Sequence, residues 1–134
     1  MFDDLDPRSP NPLYAQIAAR VRVAVAAGEL SEGDPLPSVR QLARTVRVNP
    51  ATVVQAYREL ELDGFVEMRH GAGTFVRAVP EVVREEERSR HAEDIARRAL
   101  VEAARMGLPG HALIDALHAV MEQGAAAPAT SEPT

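Results

Sequence analysis

The sequence predicts an α+β protein that is mostly α, with an N-terminal winged helix-turn-helix followed by a short C-terminal two-helix hairpin. Three observations carry this. Two short amphipathic patterns, each opened by a capping signal, follow one another closely between Ser38 and Gly64. Two strand-like runs joined through paired glycines come directly after them. Two more apolar-striped segments, separated by Gly107-Leu108-Pro109-Gly110, close the ordered part of the chain.

Leu13, Ile17, Val21 and Val25 recur every four residues, and Gly28 supplies a stop, giving a first helix over residues 12–27. Asn11 is its expected cap, with Pro12 at the first helical position. Gly33, Pro35 and Pro37 mark a short extended connection. Ser38 and Gln41 form a capping box. Val39, Leu42, Ala43 and Val46 then give a core stripe, while Arg40, Arg44 and Arg47 form a separate stripe on this short second helix. Asn49-Pro50 repeats the cap-plus-proline start. Val53, Ala56, Tyr57 and Leu60 face the core, and Asp63-Gly64 ends the third helix. Its other face carries Asn49, Ala51, Thr52, Val54, Gln55 and Arg58.

Residues 65–69 and 74–77 read as strands, and His70-Gly71-Ala72-Gly73 between them can supply positive φ at a hairpin tip. A hairpin placed there is a wing, with Phe65, Val66, Phe75 and Val76 expected to close the small core. From Glu81 to His91 the chain is charged, and Glu86 and Arg90 at i, i+4 suggest an exposed helical linker. Ala92, Ile95, Ala96, Ala99, Leu100 and Ala103, then Leu113, Ala116, Leu117, Val120 and Met121, form two apolar stripes too thin to bury one another alone. The expected organisation is an N-terminal arm (1–10), a winged helix-turn-helix domain (11–79), a two-helix region (80–123) and a disordered tail (124–134).

Composition removes several function classes. The 134 residues contain no cysteine and no lysine, so disulfides, thiolate metal sites, cysteine nucleophiles and Schiff-base lysines are excluded. No nucleophile–base pair or phosphate loop is visible, and the chain is not read as an enzyme. His91, His111 and His118 match no compact ligand spacing, so no metal or other cofactor is expected. No apolar run is long enough to span a bilayer, and the acidic start lacks the pattern of a secretory signal. A cytoplasmic location is expected.

The net charge of −5 argues against a generic basic nucleic-acid binder, yet it hides an asymmetry. From Pro35 to Arg58 there is no Asp or Glu, while Arg40, Arg44, Arg47 and Arg58 all fall there. Such a segment suits the approach of a polyanion, or is simply a solvated helix surface.

At this point the residues resemble a family. Leu13-Tyr14-x-Gln16-Ile17 and Gly28-x-Leu30-x-x-Gly33-Asp34-x-Leu36-Pro37-Ser38-Val39-Arg40-x-Leu42-Ala43 are similar to the GntR winged-helix repressors. The likeness continues through Val48-Asn49-Pro50-x-Thr52-Val53-x-x-Ala56-Tyr57-x-x-Leu60-Glu61-x-x-Gly64 and Gly71-x-Gly73-Thr74-Phe75-Val76. The short two-helix remainder resembles the YtrA subfamily, whose reduced tail is implied to serve dimerisation. The resemblance implies a sequence-specific regulator, a homodimer on double-stranded operator DNA, with an unidentified small-molecule effector as a further partner that no motif names. It implies that Arg40 meets DNA, that Asn49, Pro50, Ala51 and Thr52 enter the major groove, and that Arg69, His70 and Gly71 reach the minor groove. Pro50 and Val54 stand where relatives often carry basic side chains, which moves base readout toward Thr52, Gln55 and Arg40. Arg47 stands where glycine is usual, costing backbone freedom and adding a phosphate contact.

Arginine suits this work because its planar fork bonds guanine or phosphate in a bidentate way. Arg44 and Arg58 read as phosphate contacts or as plain surface arginines. Thr52 either touches a base edge or reinforces the helix cap, and His70 is either a groove contact or a turn residue. Tyr14 reads as a core-edge residue or a phosphate contact. A competing reading makes the chain a protein-interaction module, in which the winged helix and the C-terminal hairpin bind a partner protein.

Overall fold

The computed structural model describes residues 1–126. They divide into two compact units, Met1–His91 and the segment from Ala92 onward.

The first unit contains α1 (Leu13–Ala27), α2 (Val39–Val46), α3 (Pro50–Leu62) and an antiparallel hairpin of β1 (Val66–Arg69) and β2 (Gly73–Val76). It also takes the first turns of α4 (Glu81–Arg105). Ile17, Val21, Leu42, Val53, Tyr57, Leu60 and Val66 are fully buried at its centre. Each such apolar side chain contributes about 1.5–3 kcal/mol of burial energy. The core stripes of the three helices thus meet as the periodicity requires.

The cap of α1 differs from expectation. Pro12, not Asn11, occupies the cap position, and no side chain caps the helix. Asn11 is drawn into the preceding loop instead, its N–H donating to Ser9 Oγ and its carbonyl accepting from Gln16 Nε2 at 2.7 Å. The other caps follow the sequence. Gln41 N–H donates to Ser38 Oγ at 3.0 Å and Ser38 N–H to Gln41 Oε1 at 3.1 Å. Ala51 N–H donates to Asn49 Oδ1 at 2.8 Å.

The connection before α2 does more than extend. Leu36 N–H donates to Thr74 O and Val76 N–H to Asp34 O, so Pro35 pairs with Phe75 across the free edge of β2. The register of β1 on β2 (Val66 opposite Val76, Arg69 opposite Gly73) sends alternate side chains to opposite faces. Val76 is therefore buried, with Phe65 and Val66, whereas Phe75 is half-exposed and does not close the core.

The first ten residues are held against this unit. Phe2 and Leu5 pack on the core, Gln16 exchanges hydrogen bonds with the backbone of Asp6, and Arg20 Nε donates to Met1 O at 2.9 Å. Glu81–His91 is also docked rather than a free linker. Val79 and Val83 pack on the core, and Arg88 Nη1 donates to Ala26 O at 2.7 Å, satisfying a carbonyl at the end of α1. Arg90 pairs with Glu87 at 2.7 Å, one residue closer than the expected Glu86.

The second unit holds the rest of α4 and α5 (Gly110–Ala126), joined by a turn in which Gly107 has φ 75° and Leu108 N–H returns to Ala103 O. Ala103 is buried, but Ile95, Leu100, Val101, Ile114, Leu117, Val120 and Met121 are all 48–67% exposed. α5 runs three residues into the segment expected to be a disordered tail, and residues 127–134 lie outside the described part.

Candidate nucleic-acid interface

α2 and α3 are joined by Arg47, Val48 and Asn49, and the reversal depends on Arg47, the one non-glycine residue with positive φ among those described (φ 60°, ψ 50°). Val48 tucks toward the core, while the Arg47 side chain is exposed. Arg40, Arg44, Asn49, Pro50, Ala51, Gln55 and Arg58 are exposed as well. Thr52 is half-buried, its N–H bonded to Asn49 O at 2.8 Å. Ala51, Gln55 and Arg58 lie on one line of α3 at i, i+4, i+7, and Leu62, 88% exposed, continues that line.

Unpaired arginines are concentrated on this surface. Among the described residues, Arg40, Arg44, Arg47 and Arg58 enter no ion pair and no side-chain hydrogen bond. Arg20, Arg22, Arg69, Arg84, Arg88, Arg90, Arg97 and Arg105 are paired with acids; Arg8, Arg77 and Arg98 are also unpaired but lie singly elsewhere in the chain. Four unneutralised guanidinium groups, three on two adjoining helices and one in the turn between them, give a local positive field on an acidic chain.

Three contacts absent from the sequence reading hold α3 in place. Arg22, on α1, donates through Nη2 to Glu59 Oε2 at 2.8 Å and Asp63 Oδ2 at 2.7 Å. Burial alone would lower its pKa, but those hydrogen bonds and charges together raise it, so it stays cationic. The buried Tyr57 phenol donates to Pro37 O at 2.7 Å, tying α3 to the residue before the α2 cap. Burial pushes that phenol's pKa well up, which keeps it a donor. Glu61 Oε2 accepts from Met68 N–H at 3.0 Å and fixes the hairpin to α3. An acid–base pair this far apart in sequence has no periodic signal; the polar Glu59, Glu61 and Asp63 beside the core stripe were the only visible cue.

At the wing, Gly71 (φ 76°) and Gly73 (φ 124°) make the turn, and Arg69, His70 and Gly71 are exposed at its tip. The Arg69 guanidinium lies 4.4 Å from the centroid of the Phe75 ring and 3.4 Å from Glu67 Oε1. Tyr14 is half-buried against the core. No group of three metal-ligating side chains occurs among the described residues, and none of their helices is long and apolar enough to cross a membrane.

Residues 13–76 match the family model of the bacterial regulatory proteins of the gntR family. The uncharacterized HTH-type transcriptional regulator YhcF of Bacillus subtilis is 32% identical over 117 residues, 87% of this chain and 96% of that protein. The chain belongs to the GntR family. That membership makes it a transcriptional regulator with a DNA-binding winged helix, not an enzyme. The HTH-type transcriptional repressor YtrA of Bacillus subtilis is 44% identical over 72 residues, so the match spans 54% of this chain and only 55% of that repressor. Among solved structures, a GntR family transcriptional regulator from Listeria monocytogenes superposes with a TM-score of 0.64 at 26% identity, covering 84% of this chain and 96% of that one. YtrA from Sulfolobus acidocaldarius, a GntR-family transcription factor, superposes at 0.56 with 33% identity over 75% of this chain and 99% of that one. These likenesses assign the chain to the YtrA subfamily.

Proposed function

We propose that this GntR protein is a homodimeric repressor that works in the cytoplasm on a near-palindromic operator. Residues 11–79 read DNA and residues 80–123 dimerise. The N-terminal end of α3 (Asn49, Pro50, Ala51 and Thr52) enters the major groove, with Gln55 and Arg40 reaching base edges. Arg44, Arg47 and Arg58 hold phosphates, and the wing tip of Arg69, His70 and Gly71 enters the adjacent minor groove. The observation that carries the reading is the set of four exposed, unpaired arginines on α2, α3 and the turn between them, where no acid intervenes. Similarity to a protein named as a repressor supports the direction of regulation.

Two copies would place their recognition helices one DNA turn apart, about 34–36 Å. The exposed apolar stripe of α4 and α5 supplies the surface on which the copies meet. The test is selection of operator fragments from a randomised pool, followed by anisotropy titration on the winner between 50 and 200 mM salt. A two-fold-symmetric consensus and an affinity falling steeply with salt are expected. Enrichment of no sequence, or an affinity indifferent to salt, overturns the reading.

A further inference from the structure

We propose that Phe75 is a positioning residue for Arg69 at the DNA, and that Glu67 is the acceptor which DNA displaces from it; this rests on the reading that the wing reaches DNA. Glu67 stands directly opposite Phe75, and Arg69 lies two residues along the same strand, so all three side chains share one face of the hairpin. Opposite Arg69 is Gly73, which has no side chain. Arg69 therefore leans diagonally across the ladder until its guanidinium covers the Phe75 ring at 4.4 Å. Gly73 leaves that space free: a Cβ there would lie 3.6 Å from the ring, and its φ of 124° already disfavours any side chain.

Strand alternation puts this ring outside the core, while its neighbour Val76 is buried. The stack gives the ring a use there. A free arginine loses rotamer entropy when immobilised on a ligand. Stacking meets part of that cost before DNA arrives and leaves the in-plane N–H groups of the guanidinium at its edge. One of them faces Glu67 Oε1 at 3.4 Å, a long contact between side chains that are both about half exposed (51% and 53%). Such a pair is weak and screened, so a groove lined with phosphates and base acceptors replaces it readily.

The test is a double-mutant cycle in DNA affinity on the operator selected by the wild type, using Arg69→Ala, Phe75→Leu and both together. Phe75→Leu should weaken binding about two- to fivefold, the equivalent of an exposed cation–π contact. The double variant should bind no worse than Arg69→Ala, and Phe75→Tyr should restore affinity. Glu67→Gln should tighten binding only when Arg69 is present. Losses that multiply in the double variant overturn the proposal, as does a Glu67→Gln gain that persists in the Arg69→Ala background. If Phe75→Leu does not fold, NMR of the wild type decides. Arg69 side-chain resonances displaced by the ring in free protein and still displaced in the complex support the proposal, and loss of the displacement on binding overturns it. A wild type that binds no fragment defeats the DNA-binding reading itself, whereas binding with independent losses defeats this inference alone.

Discussion

Arg22 on α1 holds Asp63, the cap residue of α3, at 2.7 Å, so the first helix anchors the far end of α3. The same nitrogen reaches Glu59 one turn earlier, and the guanidinium stands 6.0 Å from the Phe65 ring. Arg22 is mostly shielded while both acids are partly exposed, so the fork is worth less than a fully desolvated one. Arg22→Met keeps most of the packing and removes the charge. It should cost about 1–2 kcal/mol in thermal or urea unfolding. An unchanged midpoint would show that packing alone holds α3.

Arg47 predicts effects of opposite sign on stability and binding. A side chain at φ 60° carries a left-handed strain of about 1–2 kcal/mol that glycine avoids, partly offset by glycine's greater freedom when unfolded. Arg47→Gly should therefore raise stability by about 0.5–1 kcal/mol. The same change should weaken DNA binding and reduce the slope of log affinity against log salt by about one, if Arg47 holds a phosphate. Greater stability with an undiminished salt slope would leave Arg47 a turn residue with no DNA role.

Much of this was legible in the sequence, for a physical reason. The Ser38–Gln41 box, the Asn49-Pro50 start and the Gly28 stop are local hydrogen-bonding devices, and local chemistry can be read from adjacent residues. The unpaired arginines were visible as a stretch without acids. What escaped depends on tertiary geometry. Arg22 meets Asp63 across 41 positions, and Tyr57 meets Pro37 across 20. Phe75 read as core because aromatic residues in strands usually are; only the register shows that Val76 takes the inner place. Asn11 is not the cap because it lies one residue too early: Pro12 takes the cap position, and Ser9 and Gln16 hold the Asn11 backbone in the loop before it.

The first turn of α4 predicts a pH effect. The Arg88 hydrogen bond, with Arg84 and Arg88 charges beside it, holds the Glu81 carboxyl below the usual carboxylate range. A folded pKa below the unfolded one stabilises the fold above the unfolded value, and that contribution is lost as pH falls through the folded pKa. Glu81→Gln should thus melt earlier than wild type at pH 7 and no earlier at strongly acid pH. Because the site is exposed, the gap at pH 7 should also narrow in high salt. A gap that is the same at both pH values would mean that ionisation of Glu81 does not hold the turn.

Leu117 and Val120 carry the dimer prediction. Both are more than half exposed on the apolar side of α5, where a charge finds water only if no second copy covers it. Leu117→Glu should turn a dimer into a monomer by light scattering at micromolar concentration. The folded winged helix should survive, as read by its far-ultraviolet dichroism. The monomer should still bind a half-site at low salt, but lose the tight binding that two linked half-sites provide. A Leu117→Glu protein that stays dimeric would move the interface off this stripe.

Arg40 separates base readout from charge. It sits in the first turn of α2, exposed and free of any acid, whereas Arg44 lies one turn further on the same face. If Arg40 makes a bidentate bond to a base, Arg40→Ala should cost about 1–3 kcal/mol on the selected operator and relax preference at one position of each half-site. Arg44→Ala should instead weaken all sequences alike and lower the salt slope by about one. The measurement is a pair of anisotropy titrations for each variant, on the selected operator and on a scrambled duplex of equal length, across the same salt range. Equal losses on both duplexes for Arg40→Ala would reduce it to a phosphate contact, and specificity would then have to come from Thr52, Gln55 and the shape of the DNA.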